Sequence, residues 1–441
     1  MKYIEQTKSF LLTFLVLLSI ALTLLIWNYK PDYESIEKSP VEEVLVGEIK
    51  EIKDVIKPYR LLIRQEDQFY GTVSTNIINQ LYNHLTSLKA TDIELINIDI
   101  SDVKMNEMIR MNNRVTLFFN DEIPLQVFTG IIPISDNAVP DGNFDRLIID
   151  YTNIDQQSQV QLLFLNTEKR ILFSTLAELD SPTLFVAEFV TSVKDFSPYL
   201  EVERNLRKSL YITQNPIETI QYTYLIDPVS PEPYKDFLFS DPNIVQRNVE
   251  SIHAERYTDG TSLMTVDTQN RILNYVHPPA ESIAPIPSPD LLIDSFEFIN
   301  DHGGFTEDYR YSSMIGKHSI EYQLFLQGYP IYSTMTTTRI VTTWGENRIF
   351  RYRRPYYSIE SDITSVHAIK ELASGEKTIE YIRNIEDYPF EEIDEVVVGY
   401  HLMQDKTQDL FLLEPSWFII SNNDWTRISP ESLGGSENGL E

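Results

Sequence analysis

"TSLMTVDTQNRILNYVHP", Thr261 to Pro278, is echoed 77 residues later by "TRIVTTWGENRIFRYRRP", Thr338 to Pro355. Aligned without gaps, seven of 18 positions agree: Thr261/Thr338, Thr265/Thr342, Asn270/Asn347, Arg271/Arg348, Ile272/Ile349, Tyr275/Tyr352 and Pro278/Pro355. Both copies have an apolar first run, a polar turn ending in Asn-Arg, a second run of alternating apolar residues and a terminating proline. Alternation with a period of two describes a half-buried strand, and two such runs around a polar turn describe a hairpin. The reading is a small α+β unit used twice. A repeated unit points to scaffold and surface rather than to one active site.

Around this pair the chain of 441 residues has room for about three domains at ~150 residues each. Hydrophobic residues make up 42%, ample for real cores, and 25 Tyr and 22 Phe against 15 Gly favour mixed α/β domains over glycine-rich nucleotide cradles. There is no cysteine. Disulfides, thiolate nucleophiles, cysteine zinc sites and lipidation at a cysteine are excluded. A large disulfide-free exported chain fits a Gram-positive cell surface. The formal net charge of −30 speaks against a nucleic-acid partner, which needs a basic face, and serves solubility.

"SFLLTFLVLLSIALTLLIW", Ser9 to Trp27, is 19 residues without a charge. At ~1.5 Å per residue such a helix is ~28 Å long, about one bilayer core. No small-residue cleavage pattern follows, so the expectation is an uncleaved anchor. Lys2 and Lys8 precede it and Asp32 and Glu34 follow it, which places residues 1–8 in the cytoplasm and the bulk of the chain outside. Ser9/Thr13 and Ser19/Thr23 are small-xxx-small pairs, a spacing that lets helices approach closely and share hydroxyl hydrogen bonds. The plainer alternative is that Ser and Thr simply occur in such helices.

The remainder divides into a stalk over 28–56, an N-terminal domain over 57–199, a central domain over 200–280, a C-terminal domain over 281–429 and a disordered tail over 430–441. "TNIINQLYNHLTSL", Thr75 to Leu88, has helical spacing with Ser74 or Thr75 as cap. "DLLIDSFEFINDHGG" reads as a helix capped by Asp290 and stopped at Gly303-Gly304, and "SVHAIKELA" as a second helix. "PPAESIAPIPSPD" is the linker candidate. The expected fold class is therefore α+β: one N-terminal transmembrane helix, then three mixed α/β domains, the last two related by duplication.

Catalytic signatures are missing: no G-x-S-x-G, H-E-x-x-H or Walker loop. "SGEK", Ser374 to Lys377, matches S-x-x-K without its companion motifs and reads as a polar loop. "DGNFD", Asp141 to Asp145, has calcium-loop spacing, but Arg146 and Thr152 stand where the loop's Gly and bidentate Glu belong, so it reads as an acidic turn. The seven histidines show no metal-ligand spacing. No cofactor and no enzymatic activity are expected. "RYRRPYY", Arg351 to Tyr357, is the one dense basic patch. Arg351, Arg353, Arg354, Tyr356 and Tyr357 are candidate partner-binding residues, since Arg and Tyr are enriched in interface hot spots. Strand arginines paired with nearby carboxylates are the bland alternative.

"LLTFLVLLSIALTLLIWNYKPDYE", "YQLFLQGYPIYS" and "GENRIFRYRRPYYSI" resemble the YycH family of regulatory proteins of Gram-positive bacteria. The resemblance covers the whole chain, on packing and hairpin sequences. It implies a membrane-anchored, non-enzymatic extracellular protein that associates with YycI and modulates the sensor histidine kinase WalK/YycG, which controls cell-wall metabolism. It also implies contact through transmembrane helices and likeness between the second and third domains. The competing reading is an extracellular binding module for a cell-wall polymer or peptide.

Overall fold

The computed structural model describes residues 14, 18–19, 47–134, 139–205, 207–345, 347–359, 363, 367–385, 389–405 and 409–433. Phe14, Leu18 and Ser19 are helical and exposed. The rest of 9–27, with Ser9, Thr13 and Thr23, lies outside the described residues, as do stalk residues 28–46 and tail residues 434–441. The described residues from Gly47 onward form one compact unit.

The first sheet has ten strands: β1 (Arg60–Gln65), β2 (Gln68–Thr72), β3 (Lys89–Ala90), β4 (Glu94–Asn97), β5 (Arg114–Pro124), β6 (Asn143–Asp150), β7 (Gln159–Asn166), β8 (Ile171–Glu178), β9 (Ser197–Val202) and β10 (Leu210–Thr213). They run in the order β10-β9-β2-β1-β5-β6-β7-β8-β3, with β4 also on β8. One face is covered by helix α1 (Thr75–Ser87), which buries Ile78, Leu81, Tyr82 and Leu85 at helical spacing. The other face is covered by α2 (Asp102–Arg110), which buries Met105, Met108 and Ile109 against Leu62, Phe118 and Ile148.

The second sheet has fourteen strands. Its first half comprises β11 (Ile217–Leu225), β13 (Gln246–Ser251), β14 (Ala254–Thr258), β15 (Leu263–Asp267), β16 (Ile272–Val276), β17 (Tyr309–Ile315) and β18 (Ser319–Leu326). Its second half comprises β19 (Tyr329–Tyr332), β20 (Arg339–Trp344), β21 (Ile349–Pro355), β23 (Ala368–Leu372), β24 (Glu395–Asp405), β25 (Leu410–Ser421) and β26 (Asp424–Ile428). The order is β13-β14-β15-β16-β21-β20-β18-β19-β24-β25-β11-β23, with β17 on β18 and β26 on β25; β12 (Asp227–Pro228) and β22 (Tyr357–Ser358) form a separate two-stranded ribbon. The further α-helices longer than four residues, among the described residues, are α3 (Glu232–Leu238), α4 (Ser288–Asp301) and α5 (Gly375–Arg383).

The expected fold class is corrected. The architecture is mostly antiparallel β-sheet with few helices, and among the described residues no helix is long and apolar enough to cross a membrane. The central and C-terminal strands share one sheet, and a single core cluster holds Leu61 and Phe144 together with Tyr257, Tyr322 and Leu413. The two echoed clauses are themselves neighbours. β16 and β21 pair antiparallel with Tyr275 opposite Tyr352 and Asn274 opposite Arg353. Each clause completes its sheet half by docking on the other, because a lone four-stranded meander would leave that edge unpaired. "SVHAIKELA" contains a strand, β23, rather than a helix. Pairing of Ile217 with Leu372 and Ile220 with Ile369 outweighs a weak local preference.

α4 begins at Ser288, before Asp290, and ends as expected at Gly303 and Gly304, both with positive φ. The turn at Gln327-Gly328 presses on the chain entering α1. Gly328 has φ +85°, and a Cβ there would lie 2.0 Å from the Val73 carbonyl oxygen. Gly328→Ala should cost at least about 1–3 kcal/mol from backbone strain alone, read as a lowered urea midpoint with unchanged slope. An unchanged midpoint would mean that this turn does not bear on the first sheet.

Candidate functional site: an ionic clamp and a polar cleft between the sheets

β1, β5 and β6 set Arg60, Phe118 and Arg146 in one cross-strand row, since Arg60 pairs with Phe118 and Phe118 with Arg146. The Phe118 ring lies 4.4 Å from the Arg60 guanidinium and 4.6 Å from that of Arg146. Both arginines reach Glu395, the first residue of β24 in the second sheet. Arg60 Nη2 donates to its two oxygens at 3.2 and 3.1 Å, and Arg146 Nη2 to Oε1 at 3.4 Å. Arg60 Nη1 also donates to the Tyr211 carbonyl at 2.6 Å. Asp145 pairs with Arg146 at 3.0 Å and accepts from the Thr167 N–H at 2.7 Å and its hydroxyl at 2.6 Å. Burial works most strongly against the charge on Arg60, but Glu395, Tyr59 and Tyr199 together outweigh it and hold the guanidinium pKa above its ordinary value.

Next to this clamp the sheets part around a polar cleft of about 650 Å³. Its walls include Asp121, Glu122 and Arg146 from the first sheet and Glu321, Arg339 and Glu395 from the second. Glu122 accepts from Asn143 and Asn166, each at 2.9 Å, and pairs with Lys169. Glu321 accepts from Ser313 and Arg339, each at 3.0 Å. A second cavity of about 280 Å³ shares Tyr59, Pro330 and Val397 with the cleft. Protein interiors seldom leave such spaces unfilled, and this size range is that of ligand sites. The cleft's carboxylates are tied to fixed donors, an arrangement suited to binding and to holding two layers in register.

Asp121 joins the layers directly: its Oδ2 accepts the Met314 N–H of β17 at 2.7 Å. Burial pushes its pKa up to about 6, only partly opposed by the Met314 and Glu122 amides, with Glu122 and Asp145 nearby adding to the rise. The folded chain therefore binds a proton here that the unfolded chain has lost between about pH 4 and 6. The contribution is full at lower pH and is lost as pH rises through 6, a change of at most ~3 kcal/mol. Asp121→Asn should remove that component, so the variant gains on the parent from pH 4 to pH 7 in thermal midpoint. Parallel pH profiles for the two proteins would refute the assignment.

The sequence-predicted patch is divided by the pleat of β21. Arg351 and Arg353 are exposed on one face, while Arg354, Tyr356 and Tyr357 are buried in the core. Arg354 donates to the Tyr352 hydroxyl at 2.9 Å and the Gly304 carbonyl at 3.1 Å, and lies 4.8 Å from the Tyr234 ring. Tyr357 donates to the Thr337 carbonyl and Tyr356 to that of Asp267. Of the apolar run's hydroxyls, only Ser19 is among the described residues. Ser374 of "SGEK" caps α5, accepting from the Lys377 N–H. "DGNFD" runs into β6 and supplies Asp145 to the clamp. Arg60, Arg146 and Glu395 carry no motif; the available signal was a charge opening an apolar strand, in "RLLI", "RLIID" and "EVVVG".

The YycH protein family matches the chain twice, its N-terminal domain over residues 5–180 and its C-terminal domain over residues 207–432. A Bacillus subtilis (strain 168) protein named "Two-component system WalR/WalK regulatory protein YycH" is 20% identical over 459 residues, covering 99% of both chains. The crystal structure of YycH from Bacillus subtilis superposes with a TM-score of 0.75 at 17% identity, over 88% of this chain and 99% of that one. At that identity the superposition speaks for the fold.

Proposed function

Because the chain belongs to the YycH family, we propose that it is a non-enzymatic regulator of a WalR/WalK-type two-component system, which controls cell-wall metabolism. The observation that carries this reading is the match to the Bacillus subtilis regulatory protein along 99% of both chains. The missing catalytic motifs and the scaffold-like double sheet accord with it. The finer reading is that the protein sits at the cell membrane as a single-pass protein, held by the uncharged run Ser9–Trp27, with its N-terminus cytoplasmic and its bulk extracellular. It pairs there with a YycI-like protein and acts on the WalK/YycG sensor kinase. Ser9, Thr13, Ser19 and Thr23 are the proposed contacts with the kinase's spans. A coupling of ~1–3 kcal/mol between two kinase arrangements would change signalling about 5- to 150-fold.

Crosslinking in intact cells tests the partners. Recovery of a sensor kinase and a second single-span protein with the full-length chain is expected, and recovery of wall polymer alone would overturn the reading. Replacing residues 9–27 by nineteen leucines then tests the contacts: WalR-dependent transcription should become insensitive to the protein, and retained regulation would place the contacts elsewhere.

A further inference from the structure

The 280 Å³ cavity has features that the proposed regulation does not use. Residues Thr72 to Asn76, which lead into α1, form part of its wall, with Arg60, Thr213 and Trp417. α1 is 13 residues long, yet Ser74 at its N-cap makes no side-chain capping bond and its first turn contains no acidic residue. The first intrahelical bond runs from the Ile78 N–H to the Ser74 carbonyl at 3.0 Å, so the N–H groups of Thr75, Asn76 and Ile77 precede it. The positive end of the helix thus meets the cavity without a negative partner of its own.

An independent observation concerns Arg60. It is only 3% exposed and lines this cavity, and while its two terminal nitrogens are engaged, its Nε has no hydrogen-bond partner. The Thr213 hydroxyl, on the same wall, is also buried without a partner. At the first residue of α1 Arg310, fully buried and paired with Asp308 at 2.7 Å, also donates through Nη2 to the Thr75 hydroxyl at 2.9 Å and leaves Nη1 unpartnered. Buried donors left unpaired are costly, and Arg60 and Thr213 line the same cavity as the N-terminus of α1. What they lack is an acceptor, and the group that satisfies several donors and a helix N-terminus at once is an oxyanion. The rest of the wall, with Trp417, Tyr329, Val396 and Val398, offers an apolar surface on which a ring can lie.

We propose that this cavity binds a small anionic ligand, its carboxylate or phosphate group held at the N-terminus of α1 beside Arg60 and its apolar body against Trp417 and Tyr329. The inference stands apart from the kinase reading, since it concerns a ligand rather than a partner protein.

The test titrates the full-length chain in detergent micelles with phenyl phosphate, phenylacetate and, as a neutral control, benzyl alcohol. Calorimetry gives affinity, and hydrogen exchange locates the effect. Saturable binding of one or both anions is expected, with slowed exchange in residues 72–80 and none with benzyl alcohol. Binding of one anion alone identifies its oxyanion type as the preferred one. Asn76 is exposed. Asn76→Asp brings a carboxylate to the mouth at a position where acidic residues favour the helix, so folding is retained while anion affinity falls about 3-fold or more. Asn76→Ala should bind as the parent does. Absence of anion binding, equal protection by benzyl alcohol, or an affinity indifferent to Asn76→Asp would each overturn the proposal and leave the cavity to water.

Discussion

Glu395→Ala should be the most damaging single substitution at the contact between the sheets, costing about 3–5 kcal/mol in urea unfolding. The carboxylate is shared by two guanidinium groups, and Arg60 is only 3% exposed. Removing it leaves two charges facing each other across Phe118, with Asp145 able to compensate only Arg146. The damage should be local in origin: hydrogen exchange should rise first in β1 and β24, where the clamp joins the layers. A second variant separates charge from packing. Arg60→Met combined with Glu395→Leu removes the charges on both sides and should recover much of the loss, as buried pairs replaced by apolar groups often do. A loss below about 1 kcal/mol for Glu395→Ala would mean that the clamp is solvated and the layers are held by their apolar contacts.

Two adjacent arginines make the second large contrast. Arg354→Ala should cost roughly 3–5 kcal/mol, by cavity formation and by stripping the donor from the Gly304 carbonyl and the Tyr352 hydroxyl. Arg353→Ala, on the exposed face of the same strand, should stay within about 0.5 kcal/mol. Both effects are read from urea midpoints on the full chain. Should regulation in cells be lost with Arg353→Ala while stability is unchanged, Arg353 is a contact residue. Should Arg354→Ala prove as mild as Arg353→Ala, its hydrogen bonds are replaced by water.

The contrast shows why one stretch could be read two ways. "RYRRPYY" is basic and aromatic as a string, but a strand sends successive side chains to opposite faces. Which face is the core depends on α4 packing beneath β21, where Phe298 meets Tyr352 at 5.2 Å. A residue buried by a helix fifty positions earlier leaves no local mark. The same holds for the clamp, whose three members are separated by 86 and 249 positions along the chain.

Read alone, the sequence established what local periodicity and composition can establish. The hairpin whose turn ends at Asn270-Arg271, the helix opening at Thr75 and the stop at Gly303-Gly304 all follow from alternation, helical spacing and turn residues. So do the missing catalytic motifs, and the quoted stretches carried the family resemblance. Only the tertiary structure decided that the two echoed hairpins pair with each other, that the central and C-terminal strands share one sheet, and that Arg60, Arg146 and Glu395 meet. Strand pairing is chosen by backbone hydrogen bonds and by the faces that fit across hundreds of residues. Those bonds use the same N–H and C=O groups in almost every residue, so a side-chain string cannot name their partners.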